Sequence, residues 1–355
     1  MDYLEGFKNL VERAPAFRGK AVELVIIANP AAGGFTIPKR ANENKKAFLD
    51  VLEWARPNPV LVKSCAARLH LTARSGHARE IAEAVADEML SPGYAADITL
   101  LVTAGGDGTS HEAQTAFANR MLLGGHPELA DRLCVLRLPF GTGNDGSDGR
   151  HLAESLELLT SEVEIVKNPV VQVSRSGNQD IKYAFNNASV GIDAFIANLT
   201  NIMKSKIPGD AYKIMIDVAC LFYNRLYKIG EIDVRTSRGG QPSWAERSRW
   251  LLIVMGATGH RTYGSNQKIL PTDENVCCVR EMSVFEKLSL KELFKSGRHA
   301  GHEKAILLSA DRVVIGYDSR LLLQLDGEII RLEGKDFPLV MELSATCLPI
   351  LRLRA

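Results

Sequence analysis

Residues 97–113, DITLLVTAGGDGTSHEA, form an apolar run that ends in a glycine-rich turn and then becomes amphipathic. The apolar residues 100–102 are typical of a strand buried in a parallel sheet. The glycines of the turn allow positive φ angles and let the backbone approach a ligand closely. Thr109 and Glu112 have capping-box spacing, which predicts a helix whose first N–H groups face the turn. The stretch is therefore interpreted as a strand, a phosphate loop and a helix that favours an anion at its N-terminus.

Asp107 is an unexpected residue for such a turn. A carboxylate repels phosphate groups unless a cation or a donor hydroxyl lies between them. A charge inside a glycine turn is also costly to place, and Thr109 already supplies the predicted helix cap. We therefore interpret Asp107 as a group that contacts a nucleotide or its metal, which points to Mg²⁺-phosphate chemistry.

The composition limits the class of protein. A chain of 355 residues is long enough for two domains. Its 43 Lys and Arg residues against 42 Asp and Glu residues leave a formal net charge of +1, so we expect no nucleic-acid partner. The six cysteines form no C-x-x-C pair, which is typical of reduced cytosolic cysteines and does not favour a zinc site. The sequence shows no signal peptide and no run of about 18 uncharged residues. A cytoplasmic protein is therefore expected, and any contact with a membrane is expected to be peripheral.

Strand and helix patterns alternate from residue 21 to about residue 164, which indicates a parallel sheet with helices on both faces. Besides the opening stretch, strands are predicted at 24–30, 60–64 and 133–139. The first and last of these also end in small polar loops, 29–34 and 139–145. Because the carboxyl ends of parallel strands share one edge, where open α/β sheets bind ligands, the three loops are expected to meet there.

After residue 163 the pattern changes to short β-strands. A hairpin is predicted at 170–191 and a helix at 211–226, and further strands are predicted at 229–236, 250–257, 275–282, 312–317, 320–332 and 338–353. The polar stretch 235–249 is predicted to be a mobile loop. We expect an α/β nucleotide-binding domain at 1–165, a β-rich substrate or lid domain at 166–335, and a C-terminal segment, 336–355, that packs back on the first domain.

Taken together, these motifs resemble the diacylglycerol kinase catalytic family of lipid kinases, which includes sphingoid-base kinases and the bacterial soluble diacylglycerol kinases. The most specific segments are GGDGTSHEA (105–113) and PFGTGND (139–145), supported by TARSGHAREIA (72–82), FNNASVGID (185–193) and LDGE (325–328). The resemblance extends from about residue 22 to the C-terminus. It implies a two-domain lipid-kinase fold: a parallel α/β nucleotide-binding domain and a β-rich, sandwich-like second domain.

The resemblance also implies the reaction and its residues. ATP with Mg²⁺ would donate the γ-phosphoryl group to a lipid hydroxyl, and diacylglycerol is the lipid expected first. The protein would reach this lipid by peripheral contact with a membrane surface. Asp326 and Glu328 match the family's catalytic carboxylates, one of which would take the proton of the hydroxyl. The implied nucleotide-binding residues are Asn29, Thr72, Gly105, Gly106, Asp107, Gly108, Thr109, Thr142 and Asn144.

Several features have a second interpretation. Asp326 and Gly327 also form the commonest hairpin turn. Lys39 and Arg40 either clamp phosphates or begin a solvated helix. The basic, aromatic helix at 211–226 either lies on an anionic membrane or covers the sheet of the second domain, and the second alternative is favoured.

Two segments depart from the family. After PFGTGND the family usually continues with an aromatic residue and Ala-Arg, whereas this chain has the more polar and flexible GSDGR (146–150), so the family's substrate contacts are not carried over to this loop. The stretch PTDEN (271–275) is a shortened form of an Asp-rich magnesium turn, and no metal site is assigned. Alternatives to diacylglycerol kinase are a sphingoid-base or ceramide kinase, an NAD-kinase-like enzyme with a soluble acceptor, and a non-catalytic nucleotide-binding module. The oligomeric state stays open, a homodimer included.

Overall fold

The computed structural model describes residues 3–141, 144–204, 223, 229–263 and 267–354. The chain forms two compact units, one of Met1–Pro169 with Ala345–Ala355 and one of Val170–Ser344. The sequence analysis set these boundaries at residues 165 and 335.

The first unit is built on a parallel sheet with helices. Its elements are α1 (Tyr3–Glu12), β1 (Ala21–Ala28), α2 (Gly33–Thr36), α3 (Pro38–Ala55), β2 (Ser64–Leu71), α4 (His77–Leu90), β3 (Ile98–Gly105), α5 (Asp107–Ala118), α6 (Leu129–Arg132), β4 (Leu133–Pro139) and α7 (Leu152–Thr160). The strand order is β2-β1-β3-β4, and every neighbouring pair is parallel.

The second unit is rich in antiparallel strands. Its elements, with two strands that cross the boundary, are β5 (Val163–Arg175), β6 (Asn178–Ala184), β7 (Asn187–Gly191), α8 (Ile192–Lys204), β8 (Ile232–Arg238), β9 (Gln241–Ser248), β10 (Trp250–Gly256), β11 (Arg261–Tyr263), β12 (Gln267–Leu270), β13 (Val276–Arg280), α9 (Val284–Ser296), β14 (Ala305–Leu308), β15 (Arg312–Gly316), β16 (Leu321–Leu325), β17 (Glu328–Leu332) and β18 (Leu339–Leu353). One sheet has the order β14-β13-β10-β7-β16-β17, and another contains the neighbours β18-β15-β8-β9.

The core of the first unit follows from its apolar strands. All eight residues of β3 and all seven of β4 are buried, as expected for strands covered on both faces. Phe7 of α1, Phe48 of α3 and Leu156 of α7 pack in one cluster with Leu100 of β3. The end of β18 returns to this unit, where Ile350 pairs in parallel with Val135 of β4.

The second unit has two apolar layers. Val173 and Val313 lie in one cluster with Ile253 and Leu323 of the six-stranded sheet, so the two sheets pack face to face. A second cluster joins Phe195 of α8 to other residues of the six-stranded sheet. A parallel α/β core with a separate antiparallel, sandwich-like region confirms the predicted fold class.

Three local expectations need correction or comment. The second strand is β2, not residues 60–64, because the edge strand alternates between exposed and half-buried residues and carries no apolar run. The predicted mobile loop 235–249 contains β9, which pairs with β8 in a hairpin through a turn at Gly239 and Gly240, both with positive φ. The helix predicted at 211–226 lies outside the described residues apart from Tyr223, which is buried. Of the helices that are described, none is long and apolar enough to span a bilayer.

Candidate active site

The carboxyl ends of the parallel strands bring the predicted nucleotide residues of the first unit to one edge. Asn29 follows β1, Thr72 follows β2 and Gly105 ends β3. The backbone N–H of Asn29 donates to Ala104 O, and the backbone N–H of Thr72 donates to Ala28 O, both at 2.9 Å. Since β2 and β3 lie on opposite sides of β1, the chain changes direction here, as at the ligand-binding crevice of doubly wound sheets.

The glycine loops after β3 and β4 touch through their backbones. A Cβ atom at Gly141 would lie 2.5 Å from the Cα atom of Gly106, and a Cβ atom at Gly105 would lie 2.6 Å from Cβ of Thr109. A side chain at Gly141 would force the two loops apart, and one at Gly105 would collide with Thr109 in the first turn of α5. The glycines are therefore required by the contact between the two loops and by the first turn of α5.

The start of α5 differs from the predicted capping box. Gly106 is the N-cap, and its helix begins at Asp107, so Thr109 lies inside the first turn, where its Oγ1 accepts a hydrogen bond from Asn29 Nδ2 at 3.4 Å. Glu112 instead accepts from the backbone N–H of Gly76 at 2.8 Å, at the start of α4. The prediction was wrong because the helix starts three residues earlier, which leaves its first N–H groups facing the glycine loops.

Asp107 has a structural partner that the sequence analysis did not foresee. Its Oδ1 accepts a hydrogen bond from the backbone N–H of Gly146 at 3.0 Å. The carboxylate thus joins the first residue of α5 to the loop after β4. This contact explains the carboxylate at this position without excluding a contact with a nucleotide.

The loop after β4 is held by its own hydrogen bonds, although its composition predicted a flexible segment. Asn144 has φ 62° and donates from Nδ2 to Pro139 O at 3.2 Å. Ser147 Oγ bonds to Asn144 O and Gly149 O, each at 2.7 Å. Asp148 forms a buried ion pair with Arg137 of β4. Thr142 lies outside the described residues.

Arg40, the second residue of the basic pair Lys39 and Arg40, lies both at a helix start and beside a glycine loop. It lies in the first turn of α3, as the helix-start interpretation expected. Its Nη1 also donates to the carbonyl oxygen of Gly141 at 3.3 Å, so a cation lies beside the glycine loop. Lys39 is exposed.

These residues fit the phosphates of a nucleotide. The N-terminus of a helix of 12 residues, two touching glycine loops and the Arg40 guanidinium all favour an anion. Asn144 Oδ1 is buried without a hydrogen-bond partner among the described residues, which leaves an acceptor for a ligand donor. No group of three or more His, Cys, Asp or Glu side chains in the described part of the chain could hold a metal ion by itself.

The two predicted catalytic carboxylates share a turn in the second unit. Asp326 and Gly327 connect β16 to β17, with φ 50° and 93°, so the hairpin-turn interpretation is correct. The Asp326 carboxylate accepts three backbone N–H groups, from Phe185 at 2.6 Å and from Asn186 and Asn187 at 2.9 Å. Asp326 therefore ties the turn to the link between β6 and β7.

Glu328 follows the turn and is exposed. Beneath it, the fully buried Gln324 accepts from the Gly327 N–H at 2.7 Å and donates to Asn187 Oδ1 at 2.5 Å. Such a buried amide must have its hydrogen bonds satisfied, because each unpaired buried polar atom would destabilise the fold. Gln324 was not among the residues predicted from the sequence, although a polar residue inside the apolar run LLLQL was a visible signal.

A second missed residue is Asp193, at the end of the FNNASVGID segment. It is buried and accepts from the Ala194 N–H at 2.8 Å and from the Ser189 hydroxyl. Burial raises the pKa of Asp193 to about 7, although these hydrogen bonds act in the opposite direction. The side chain belongs to the same unit as the acidic turn of Asp326, Gly327 and Glu328.

Within the first unit, then, the structure brings together the described nucleotide candidates; within the second, it places Asp326 and Glu328 on one turn. Solved structures with a similar fold include three from Bacillus anthracis str. Sterne. Two structures of a candidate diacylglycerol kinase have TM-scores of 0.56, and a crystal structure of a diacylglycerol kinase has 0.51; each is 16% identical and covers 92% of this chain and 96% of its own. At this identity the likeness concerns the fold.

No curated protein matches the sequence. Residues 23–173 match the family model described as the diacylglycerol kinase catalytic domain. This range contains the loops after β1, β2, β3 and β4. The match confirms, for residues 23–173, the resemblance that the sequence motifs indicated.

Proposed function

We propose that this protein is an ATP-dependent lipid kinase that transfers the γ-phosphoryl group of ATP to a lipid hydroxyl, with diacylglycerol as the acceptor. The match of residues 23–173 to the diacylglycerol kinase catalytic domain carries the proposal. The four strand-end loops at one edge of the parallel sheet support it, because this arrangement suits a nucleotide.

In this proposal the nucleotide phosphates lie against the first turn of α5 and the glycine loops. The N–H groups of that turn and the Arg40 guanidinium stabilise their negative charge. Mg²⁺ bound with ATP would offset charge on the phosphate oxygens, and Asp107 is the residue proposed to contact it. Thr109 and Asn29 support the loop through their mutual hydrogen bond.

The acidic turn supplies the proposed proton acceptor. Phosphoryl transfer requires a positioned hydroxyl and a base for its proton. Asp326 holds the turn through three backbone N–H groups, and Glu328 is exposed beside it. A rigid hairpin turn suits a base, because it restricts the position of both carboxylates.

The acceptor class implies where the enzyme works. A diacylglycerol hydroxyl lies at a membrane surface, so we propose a cytoplasmic protein that contacts the membrane peripherally. Homodimerisation is not required by this proposal.

The test is a phosphoryl-transfer assay with purified protein, Mg²⁺ and γ-labelled ATP. Mixed micelles present diacylglycerol, sphingoid base, ceramide or no lipid, and a parallel sample contains NAD. Label in diacylglycerol is the expected result. Label only in a sphingoid base or ceramide would change the acceptor, label only in NAD would refute the lipid assignment, and ATP binding without transfer to any acceptor would favour a non-catalytic module.

A further inference from the structure

A buried ion pair stands behind the loop that follows β4. The side chains of Arg137 and Asp148 are only 7% and 5% exposed. Arg137 is the charged residue of a seven-residue strand, β4, in which every residue is buried. Burying two charges carries a desolvation penalty, so such a pair adds little to stability compared with apolar side chains of similar size. The pair is therefore expected to fix the position of the chain rather than to add stability.

The contacts between the two residues fix the position of Asp148 in more than one direction. Arg137 Nε donates to both carboxylate oxygens at 3.1 and 3.2 Å, and Nη2 donates to Oδ1. The Arg137 backbone N–H donates to Oδ2 at 2.7 Å, and the Asp148 N–H donates to Arg137 O at 3.0 Å. Both the side chain and the backbone of Asp148 are therefore held against β4.

The segment that Asp148 anchors contacts the proposed nucleotide loop. Gly146, two residues earlier, donates its N–H to Asp107 Oδ1 at 3.0 Å, and Asn144 leaves its buried Oδ1 without a partner among the described residues. Glycines at 146 and 149 would give an unanchored segment many backbone conformations. Anchoring at Asp148 removes most of that freedom.

We infer that Arg137 and Asp148 are a positioning pair, which sets the segment 144–148 against Asp107 and thereby determines the affinity for the nucleotide. The inference rests on the proposed function. It gives a role to the GSDGR segment in which this chain departs from its family: the aspartate of that segment, paired with an arginine on β4, holds the loop. Neither residue is assigned a contact with the substrate or the reacting atoms.

The test separates position from stability. The double variant Arg137→Met/Asp148→Leu replaces the pair with apolar side chains of similar size but leaves the backbone N–H of residue 137 without its acceptor, so the melting temperature is expected to fall by only a few degrees. The dissociation constant for ATP, measured by calorimetry, and the KM for ATP are expected to rise about tenfold, because a small misplacement of binding groups is costly. The KM for the lipid is expected to stay unchanged.

Two further variants complete the experiment. Arg120→Met/Asp87→Leu removes an exposed ion pair of the same unit and is expected to leave both ATP constants unchanged. Arg137→Met/Asp148→Asn removes both charges and keeps an acceptor oxygen for the backbone N–H of residue 137, so it provides a second variant should the first double variant not fold, and a rise in the dissociation constant is expected again.

The outcomes distinguish this inference from the proposed function. Wild-type protein that binds ATP and transfers phosphoryl groups, together with folded Arg137 and Asp148 variants whose dissociation constant and KM for ATP are those of the wild type, would overturn the positioning role alone. A loss confined to melting temperature and kcat would do the same, since it would show a purely structural pair. Wild-type protein that does not bind ATP would overturn both.

Discussion

Asp107 and Asp326 each bind backbone N–H groups of another segment with their carboxylate oxygens. Asp107 accepts from Gly146, and Asp326 accepts from the link between β6 and β7. Hydrogen bonds to a charged acceptor are stronger than neutral ones, so both side chains stabilise local structure. Substitutions must therefore separate this structural contribution from the proposed chemistry.

For Asp107, we expect phosphoryl transfer to be lost in both Asp107→Asn and Asp107→Ala, with the fold intact. Asparagine keeps an oxygen for the Gly146 N–H and removes only the charge, whereas alanine also loses the hydrogen bond, at a cost of about 1 kcal/mol. Label transfer and urea unfolding measure the two effects. The control Asp131→Asn changes an exposed aspartate of the same unit. Wild-type turnover in Asp107→Asn would limit Asp107 to its contact with the loop.

The acidic turn allows a similar separation between its two carboxylates. Asp326→Asn is expected to lower the free energy of unfolding by about 1–3 kcal/mol, because the amide would oppose a backbone N–H with a donor. Glu328→Gln is expected to leave stability unchanged, since the side chain is exposed. Transfer to diacylglycerol in micelles is expected to fall in both variants. The control is Glu342→Gln, which changes an exposed glutamate of the same unit that pairs with Arg312. Retention of turnover by Glu328→Gln would assign the base to Asp326.

The N-terminal end of α4 is linked to the second turn of α5. Glu112 of α5 accepts from the Gly76 N–H at 2.8 Å and from Ser75 Oγ at 3.3 Å. Gly76 is the N-cap of α4 and has no side chain to cap it. The carboxylate of the neighbouring helix thus accepts the N–H of the N-cap residue, as the glutamate of a capping box does within one helix.

From this contact we expect Glu112→Ala to destabilise the protein by about 1 kcal/mol, the usual net contribution of one hydrogen bond. Glu112→Gln, which keeps an acceptor oxygen, should cost less. Urea unfolding measures the change, and Glu80→Ala, which removes an exposed ion pair with Arg74, should cost about 0–0.5 kcal/mol. Equal costs for Glu112→Ala and Glu80→Ala would show that the contact is not a cap.

Strand position in the sheet explains which elements could be predicted. The runs of β3 and β4 are continuously apolar because both faces of these strands are covered, and both strands were recognised. β2 and β9 lie at the edges of their strand orders and are half-exposed, so their sequences lack an apolar run. Their side chains face solvent as well as the sheet, so hydrophobic periodicity placed β2 at the wrong residues and gave no strand at β9.

The pH dependence of the whole chain includes a contribution from His299. Its imidazole is buried and contacts Ile269 O through Nε2 at 3.1 Å. Burial lowers the pKa of His299. The unfolded state then binds the proton more readily, so the contribution to stability is full above the unfolded pKa of about 6.5 and is lost as the pH falls through the folded-state pKa.

We therefore expect the wild type to lose stability relative to His299→Phe as the pH is lowered from 7 to 5, by at most about 1.4 kcal/mol per pH unit. Melting temperatures of both proteins at several pH values measure the difference. Asp193, whose pKa is raised to about 7, gives the opposite slope, but it is present in both proteins and cancels. His126→Gln, at an exposed site, is the control. Parallel pH profiles for wild type and His299→Phe would contradict the prediction.

Local patterns were sufficient for the fold class and for the loops that carry the candidate site. Apolar runs and glycine spacing involve residues within a few positions of one another, and parallel strands must place their carboxyl ends together. The resemblance to a kinase family followed from the same short segments. Thr142, by contrast, lies outside the described residues, and its role stays a prediction.

The partners of the polar side chains depended on the folded chain. Asp107 is separated from Gly146 by 39 positions, Arg137 from Asp148 by 11 and Asp326 from Asn187 by 139. No spacing rule connects residues so far apart, because their contact depends on how strands and loops pack. Tertiary structure therefore decided that Glu112 supports α4, that Asp107 contacts a loop, and that an ion pair on β4 holds that loop in place.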